Sequence, residues 1–111
     1  MEWDDVVELG LELPEVEVSS SYGTPALKVR KKLFARLLET GETLVLLKID
    51  DIERQMLLET QPDVFYLTPH YVGWPTVLVR LPNISREQLR ELLTQSWERV
   101  APASVRKLRY S

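Results

Sequence analysis

The spacing of apolar residues separates the chain into helical and extended segments. A period near 3.6 predicts helices over residues 3–11, about 51–59 and 85–100, with a short helical turn over 104–110. The third helix is the best defined, because Ser85 and Gln88 have capping-box spacing and Leu89, Leu93 and Trp97 follow on one face. On the second helix, the expected buried side is marked by Ile52, Met56, Leu57 and Thr60.

Extended segments fill the intervals between these helices. Alternating or continuous apolar runs bounded by Gly, Pro or Asp predict six strands. They cover residues 16–21, 26–30, 33–38, 43–49, 64–67 and 76–81. Residues 30–32 form the tip of a hairpin between the second and third strands, and contain neither Gly nor Asn, so the turn type stays open.

The order of these elements predicts the fold class. A helix is followed by several strands, a helix, more strands and a long helix, without the alternation of strand and helix that a parallel sheet requires. We therefore expect an α+β two-layer sandwich, in which an antiparallel sheet packs against the N- and C-terminal helices. At 111 residues the whole chain, 1–111, is expected to be one domain.

Composition narrows the functional classes. No apolar run approaches the roughly 20 residues of a membrane helix, and no cysteine is present, so we expect a cytoplasmic protein with no membrane association. The sequence has no Gly-rich phosphate loop, no Gly-x-Ser-x-Gly and no pair of histidines. We accordingly expect a non-enzymatic domain with no catalytic residue, cofactor or metal centre.

Charge is distributed unevenly although the formal net charge is only −3. Residues 18–38 contain five bases and no acid, and all five lie on or near the predicted hairpin. They are Lys28, Arg30, Lys31, Lys32 and Arg36. Such a hairpin could place its cations against DNA phosphates, with weak, salt-dependent affinity in an acidic chain. The alternative is a solvated edge strand, which lysines protect from aggregation.

A second candidate surface combines aromatic residues with a lysine. The segment Thr68-Pro69-His70-Tyr71-Val72-Gly73-Trp74 joins two strands, and Lys48 ends another. His70, Tyr71, Trp74 and Lys48 could bind a small ligand by stacking and hydrogen bonding. The alternative is that the rings cover the sheet, and that Lys48 pairs with Asp50 or Asp51.

An acidic stripe begins the chain. Residues 1–17 contain seven acids and no Lys or Arg, and Asp4, Glu8 and Glu12 recur every four residues. Exposed acidic helix faces are common, so the stripe by itself predicts a solvated helix face.

Five short motifs in a fixed order resemble one known family. They are Gly23-Thr24-Pro25-Ala26-Leu27-Lys28-Val29, Leu33-Phe34-Ala35, Leu47-Lys48, Pro69-His70 with Trp74, and Ser96-Trp97. The chain is similar over residues 12–105 to the MmcQ/YjbR family. It departs from the family at the hairpin tip, where Arg30-Lys31-Lys32 replaces a form with glycine.

The resemblance implies a frataxin/CyaY-like sandwich with a predicted double-wing DNA-binding motif. Double-stranded DNA, bound weakly by the basic hairpin, is then the expected partner. By the same likeness, an acidic first helix implies the alternative of a protein-interaction or weak metal-binding domain. A small ligand near His70 is the third hypothesis.

Overall fold

In the computed structural model, which describes residues 1–110, six strands form one antiparallel sheet. The strands are β1 (Val16–Ser21), β2 (Thr24–Val29), β3 (Lys32–Leu37), β4 (Thr43–Leu47), β5 (Phe65–Tyr66) and β6 (Thr76–Arg80). Their order across the sheet is β1-β2-β3-β4-β6-β5, so β6 lies between β4 and the short edge strand β5. Each predicted strand is present within two residues of its expected ends.

Four helices accompany the sheet: α1 (Trp3–Gly10), α2 (Asp51–Thr60), α3 (Arg86–Val100) and α4 (Ala103–Arg109). The helices α1 and α3 contact each other, and α3 lies against β3 and β4. The predicted α+β sandwich of an antiparallel sheet and terminal helices is confirmed. No helix within residues 1–110 is both long and apolar enough to cross a bilayer.

The core lies between the sheet and the helices. Trp97 is fully buried at its centre, and its indole N–H donates to the carbonyl of Pro14 at 3.1 Å, as a buried tryptophan requires. Gly10 ends α1 against the sheet, where an added Cβ would lie 2.5 Å from the Cδ1 of Leu27. The glycine that weakens the helix therefore permits its close approach to β2.

The helix α2 differs from its predicted orientation. Asp50 caps it, accepting from the backbone N–H of Glu53 at 3.2 Å. Of the four residues expected on the buried side, Leu57 is buried, and Ile52, Met56 and Thr60 are exposed. Arg54 is buried instead, and its Nε donates to the carbonyl of Thr76 at 2.9 Å. The long stem of an arginine can pack as a hydrophobic group while its guanidinium donates to a carbonyl. The buried face of α2 was therefore predicted wrongly from the spacing of apolar residues alone.

Two hairpins have two-residue turns of the same kind. Tyr22 and Gly23 connect β1 to β2, and Arg30 and Lys31 connect β2 to β3, all four with positive φ. Positive φ at both central residues is the mark of a type I′ turn, which normally selects Asn and Gly. Arg30 and Lys31 thus adopt a conformation that is unfavourable for residues with a Cβ.

A bulge in β3 changes which residues share a face. Leu27 pairs with Ala35, but the next residue of β2, Lys28, pairs with Leu33, which leaves Phe34 as an extra residue. Phe34 and Ala35 consequently both belong to the helix-facing core. The side chains on either side, Leu33 and Arg36, both lie on the opposite face.

Candidate functional site

The sheet surface away from α1 and α3 is called here the open face. Because residues paired across strands share a face, the register assigns its members. The central ones are Ala26, Lys28, Leu33, Arg36, Val45, Leu47, Thr76 and Leu78. Ala26, Val45 and Leu78 are nevertheless buried, although they do not belong to the helix-facing core. Side chains and a loop therefore cover the middle of this face.

A pocket of about 520 Å³ opens on this face. Its strand residues are Leu33, Arg36, Val45, Leu47 and Thr76; Tyr22 comes from the first hairpin turn, and His70, Tyr71 and Trp74 come from the loop between β5 and β6. The floor is thus aliphatic, the walls are aromatic, and one guanidinium is present. This volume is in the range of known ligand sites.

Arg36 is held in place by neutral groups. Its Nη1 donates to the Thr24 hydroxyl and its Nη2 to the Tyr71 hydroxyl, both at 3.2 Å, and the guanidinium carbon lies 5.4 Å from the centre of the Tyr22 ring. Six other arginines in residues 1–110 are paired with carboxylates. Arg36 has no such partner, so the pocket contains an uncompensated positive charge.

The aromatic wall is largely exposed to solvent. Tyr22 is 87% exposed and Trp74 63% exposed, whereas His70 and Tyr71 contact each other edge to face with their centroids 4.8 Å apart. His70, Tyr71 and Trp74 belong to a loop that begins with the 3₁₀ turn Pro69–Tyr71. Exposed large rings beside an apolar floor are typical of a surface that a ligand covers.

Four lysines lie together at one end of the sheet, here called the lysine end. Lys31 is at the tip of the β2–β3 hairpin, Lys28 and Lys32 lie beside the tip, and Lys48 follows the end of β4, which is antiparallel to β3. None of the four forms an ion pair within residues 1–110. Glu17 lies across from Lys28 in β1, so Lys31, Lys32 and Lys48 carry the less compensated charge.

The predicted basic hairpin is therefore divided. Lys28 and Arg36 lie on the open face. Lys32 pairs with the buried Val29, so its side chain leaves the sheet on the helix-facing side. Arg30 is neutralised, since its Nε and Nη2 donate to Glu15 at 2.7 and 3.0 Å. Of the C-terminal bases, Arg109 pairs with Glu98 and Arg106 donates to the carbonyl of Ala101.

The bond from Arg30 lowers the pKa of the Glu15 carboxyl below its ordinary value. A lowered folded pKa gives stability that is present above the unfolded pKa and is lost as pH falls through the folded one. We expect Glu15→Gln to lower the melting temperature slightly at pH 7, and the difference from the wild type to shrink as the pH falls below the ordinary glutamate pKa of 4.5 and through the lowered folded value. Thermal unfolding followed by circular dichroism from about pH 7 to about pH 2 would check it. A difference that stays constant over this range would contradict it.

The acidic stripe is largely occupied by ion pairs between helices. Arg86 of α3 pairs with Asp5 and Glu8, and Arg90 pairs with Glu12 at 3.2 Å. In residues 1–110 no group of three or more His, Asp or Glu side chains could hold a metal ion. The stripe thus connects the α1 region to α3 by ion pairs, and no observed cluster of ligands supports the metal hypothesis.

Three of the four residues in the predicted ligand surface, His70, Tyr71 and Trp74, line the pocket; Lys48 does not. Lys48 does not form the expected pair with Asp50 or Asp51, because these carboxylates pair with Arg99 and Arg54. Lys48 has a φ of 60° at the end of β4, which directs the chain away from the strand.

Five residues of the pocket were not predicted from the sequence: Tyr22, Leu33, Val45, Leu47 and Thr76. For Tyr22 a signal existed, because Gly23 follows it between two strands and marks a tight hairpin turn whose first residue is exposed. For Leu33 no such signal existed, since its face depends on the bulge at Phe34.

Comparison with known proteins agrees with this architecture and with the sequence motifs. A family model described as YjbR matches residues 11–99. The chain belongs to the YjbR family.

Two relatives are Uncharacterized protein Rv2570 of Mycobacterium tuberculosis and Uncharacterized protein Mb2600 of Mycobacterium bovis. Each is 43% identical to this chain over 49 residues, which is 44% of this chain and 38% of the relative. The match thus spans well under half of each mycobacterial protein.

A solved structure of similar fold is the crystal structure of Deinococcus radiodurans protein DR2400, described as a DUF419 domain. The two structures align with a TM-score of 0.78 over 96% of this chain and 86% of the other, at 23% sequence identity. At this identity the likeness supports the fold alone.

Proposed function

We propose that this YjbR domain is a non-enzymatic nucleic-acid-binding protein, which contacts phosphates with the lysine end and with Arg36. The observation that supports it best is the placement of unpaired cations. Six arginines have carboxylate partners, including Arg30 at the same hairpin tip, whereas the four lysines at this end of the sheet, Lys28, Lys31, Lys32 and Lys48, have none within residues 1–110. Phosphates would provide the missing counter-charges.

Backbone conformation gives independent support. Lys31 and Lys48 have φ values of 67° and 60°, in the left-handed region that Gly or Asn would adopt at lower cost. Unfavourable backbone conformations of this kind are concentrated at binding and catalytic sites. Both lysines are exposed and form no ion pair within residues 1–110, so a role in binding would explain their presence.

The double variant Lys31→Gln/Lys48→Gln tests the proposal. Fluorescence anisotropy with labelled DNA at low salt would measure its affinity and the dependence on salt concentration. We expect affinity to fall at least about tenfold, and the slope of log K against log salt to decrease by about 2, as two phosphate contacts are lost.

The control is Arg90→Gln/Arg109→Gln, which removes the same charge from the helical layer. Both arginines are half-exposed and ion-paired, so the control should keep its affinity. Equal losses in the two variants would mean that net charge alone governs binding. No measurable binding of the wild-type protein at low salt would reject the proposal.

A second function is favoured by the pocket itself. An apolar floor with aromatic walls and one uncompensated guanidinium suits a small planar anion as well as a polymer. Under this alternative a free ligand would saturate the pocket, and the variants of Lys31 and Lys48 would not change its affinity.

A further inference from the structure

We infer that the pocket on the open face accepts one unpaired nucleobase, so that the domain prefers single-stranded nucleic acid to duplex. This inference rests on the proposed function and specifies its ligand. It depends on the pocket residues Tyr22, Arg36 and Trp74, and not on the lysines.

The rings are arranged for stacking. Tyr22 and Trp74 come from different segments, the first hairpin turn and the β5–β6 loop, yet both line the same pocket above Leu33, Val45 and Leu47. Both remain mostly exposed, so the protein core gains little from them. A base placed against these rings would bury them on an apolar floor, and every base has a face that can stack.

The position of Arg36 adds a phosphate contact beside the base. Only two bonds from its guanidinium go to protein groups, the hydroxyls of Thr24 and Tyr71. A guanidinium has five N–H donors, so further donors are available for a phosphate oxygen. Because the acceptors are neutral, its full charge also remains for that contact.

The pocket and the lysine end are neighbours along the sheet. Leu33 lines the pocket, Lys32 precedes it, and Leu47, also in the pocket, precedes Lys48. A strand with one base in the pocket would therefore place its adjacent phosphates near the lysines. In a duplex the bases are stacked and paired, and one would have to be extruded first, which costs energy.

The experiment compares four labelled probes by anisotropy: a thymidine oligonucleotide, a duplex, an abasic oligonucleotide of equal length, and a mononucleotide. Each is titrated with the wild type, Trp74→Ala and Tyr22→Asn. Tyr22→Asn should fold at least as stably as the wild type, because Asn-Gly is the preferred pair in a type I′ turn. We expect its melting temperature to rise by a few degrees, so a loss of binding by this variant cannot be due to unfolding.

We expect the single strand to bind roughly tenfold more tightly than the duplex or the abasic strand. Each ring variant should lower single-strand affinity about tenfold and leave duplex affinity unchanged, while Trp74→Phe should restore most of the loss. Equal affinity for single strand and duplex would overturn the inference, as would ring variants that bind normally.

The two proposals fail in different ways. Binding of duplex and abasic strands that is insensitive to Tyr22 and Trp74 would overturn the pocket inference and leave the lysine end as the binding surface. A mononucleotide that binds as tightly as the oligonucleotide would also overturn it, in favour of a small-ligand site. No binding of any polymer would reject the proposed function and the inference together.

Discussion

Replacing Arg36 with methionine should weaken binding of single-stranded DNA by roughly 30-fold, since a hydrogen bond to a charged group contributes about 1.5–3 kcal/mol. Methionine keeps most of the length and packing of the arginine stem but removes the charge and all five donors. The protein partners that lose a bond are the hydroxyls of Thr24 and Tyr71. We expect the melting temperature to change little, and anisotropy titrations would measure the loss of affinity.

Arg80 provides a matched control on the same face. Its guanidinium carbon lies 4.0 Å from the centre of the Tyr66 ring, and its Nη1 donates to the carbonyl of Pro62 at 3.0 Å. Like Arg36 it therefore contacts a tyrosine ring and a neutral acceptor, but it lies outside the pocket. Arg80→Met should bind DNA normally. An equal loss in both variants would attribute the effect to net charge and count against the pocket.

The fold was largely predictable because its signals are local. Strand alternation, the Ser85 cap of α3 and the buried stripe that ends at Trp97 each depend on residues close in sequence. The resemblance to the YjbR family, carried by five short motifs, implied the same α+β sandwich. Errors arose where a long polar side chain took an apolar position, as Arg54 did in place of Ile52 and Met56 on α2.

The site was less predictable because it depends on contacts between distant segments. Arg36 belongs by sequence to a basic block, yet its partner Tyr71 lies 35 residues away. Arg30 belongs to the same block but is neutralised by Glu15, and Glu8 and Glu12 of the acidic stripe pair with arginines of α3. Charge patterns along a sequence cannot show such pairing, which requires the tertiary structure.

The bulge in β3 is the clearest case. Leu33 and Arg36 are three residues apart, and in a regular strand this spacing places two side chains on opposite faces. The extra residue Phe34 brings both to the open face, while Phe34 and Ala35 enter the core. The pocket exists in this form because the strand is irregular, and strand periodicity alone would have separated these two residues.

Ser96 stabilises that irregularity from the helical layer. Its hydroxyl is fully buried and lies 2.9 Å from the carbonyl oxygen of Phe34 and 2.5 Å from that of Leu47. Phe34 is the bulged residue, and its carbonyl needs a donor from outside the regular ladder. A serine hydroxyl has one hydrogen to donate, so Ser96→Ala should leave one of these carbonyls without its donor and reduce the free energy of unfolding by about 2 kcal/mol. Urea or thermal unfolding would measure it, with a melting point lowered by roughly 8 °C.

Thr94→Ala is the control, because it also replaces a hydroxyl with a methyl group on α3. Thr94 is half-exposed and donates within its own helix to the carbonyl of Arg90 at 2.8 Å, so its loss should change stability by no more than about 0.5 kcal/mol. If Ser96→Ala had the same melting temperature as Thr94→Ala, the bulge would not need the Ser96 hydroxyl. If instead Ser96→Ala also weakened DNA binding while still folded, the same serine would connect the helical core to the placement of Arg36. We expect this second effect, because the bulge positions Leu33 and Arg36 together.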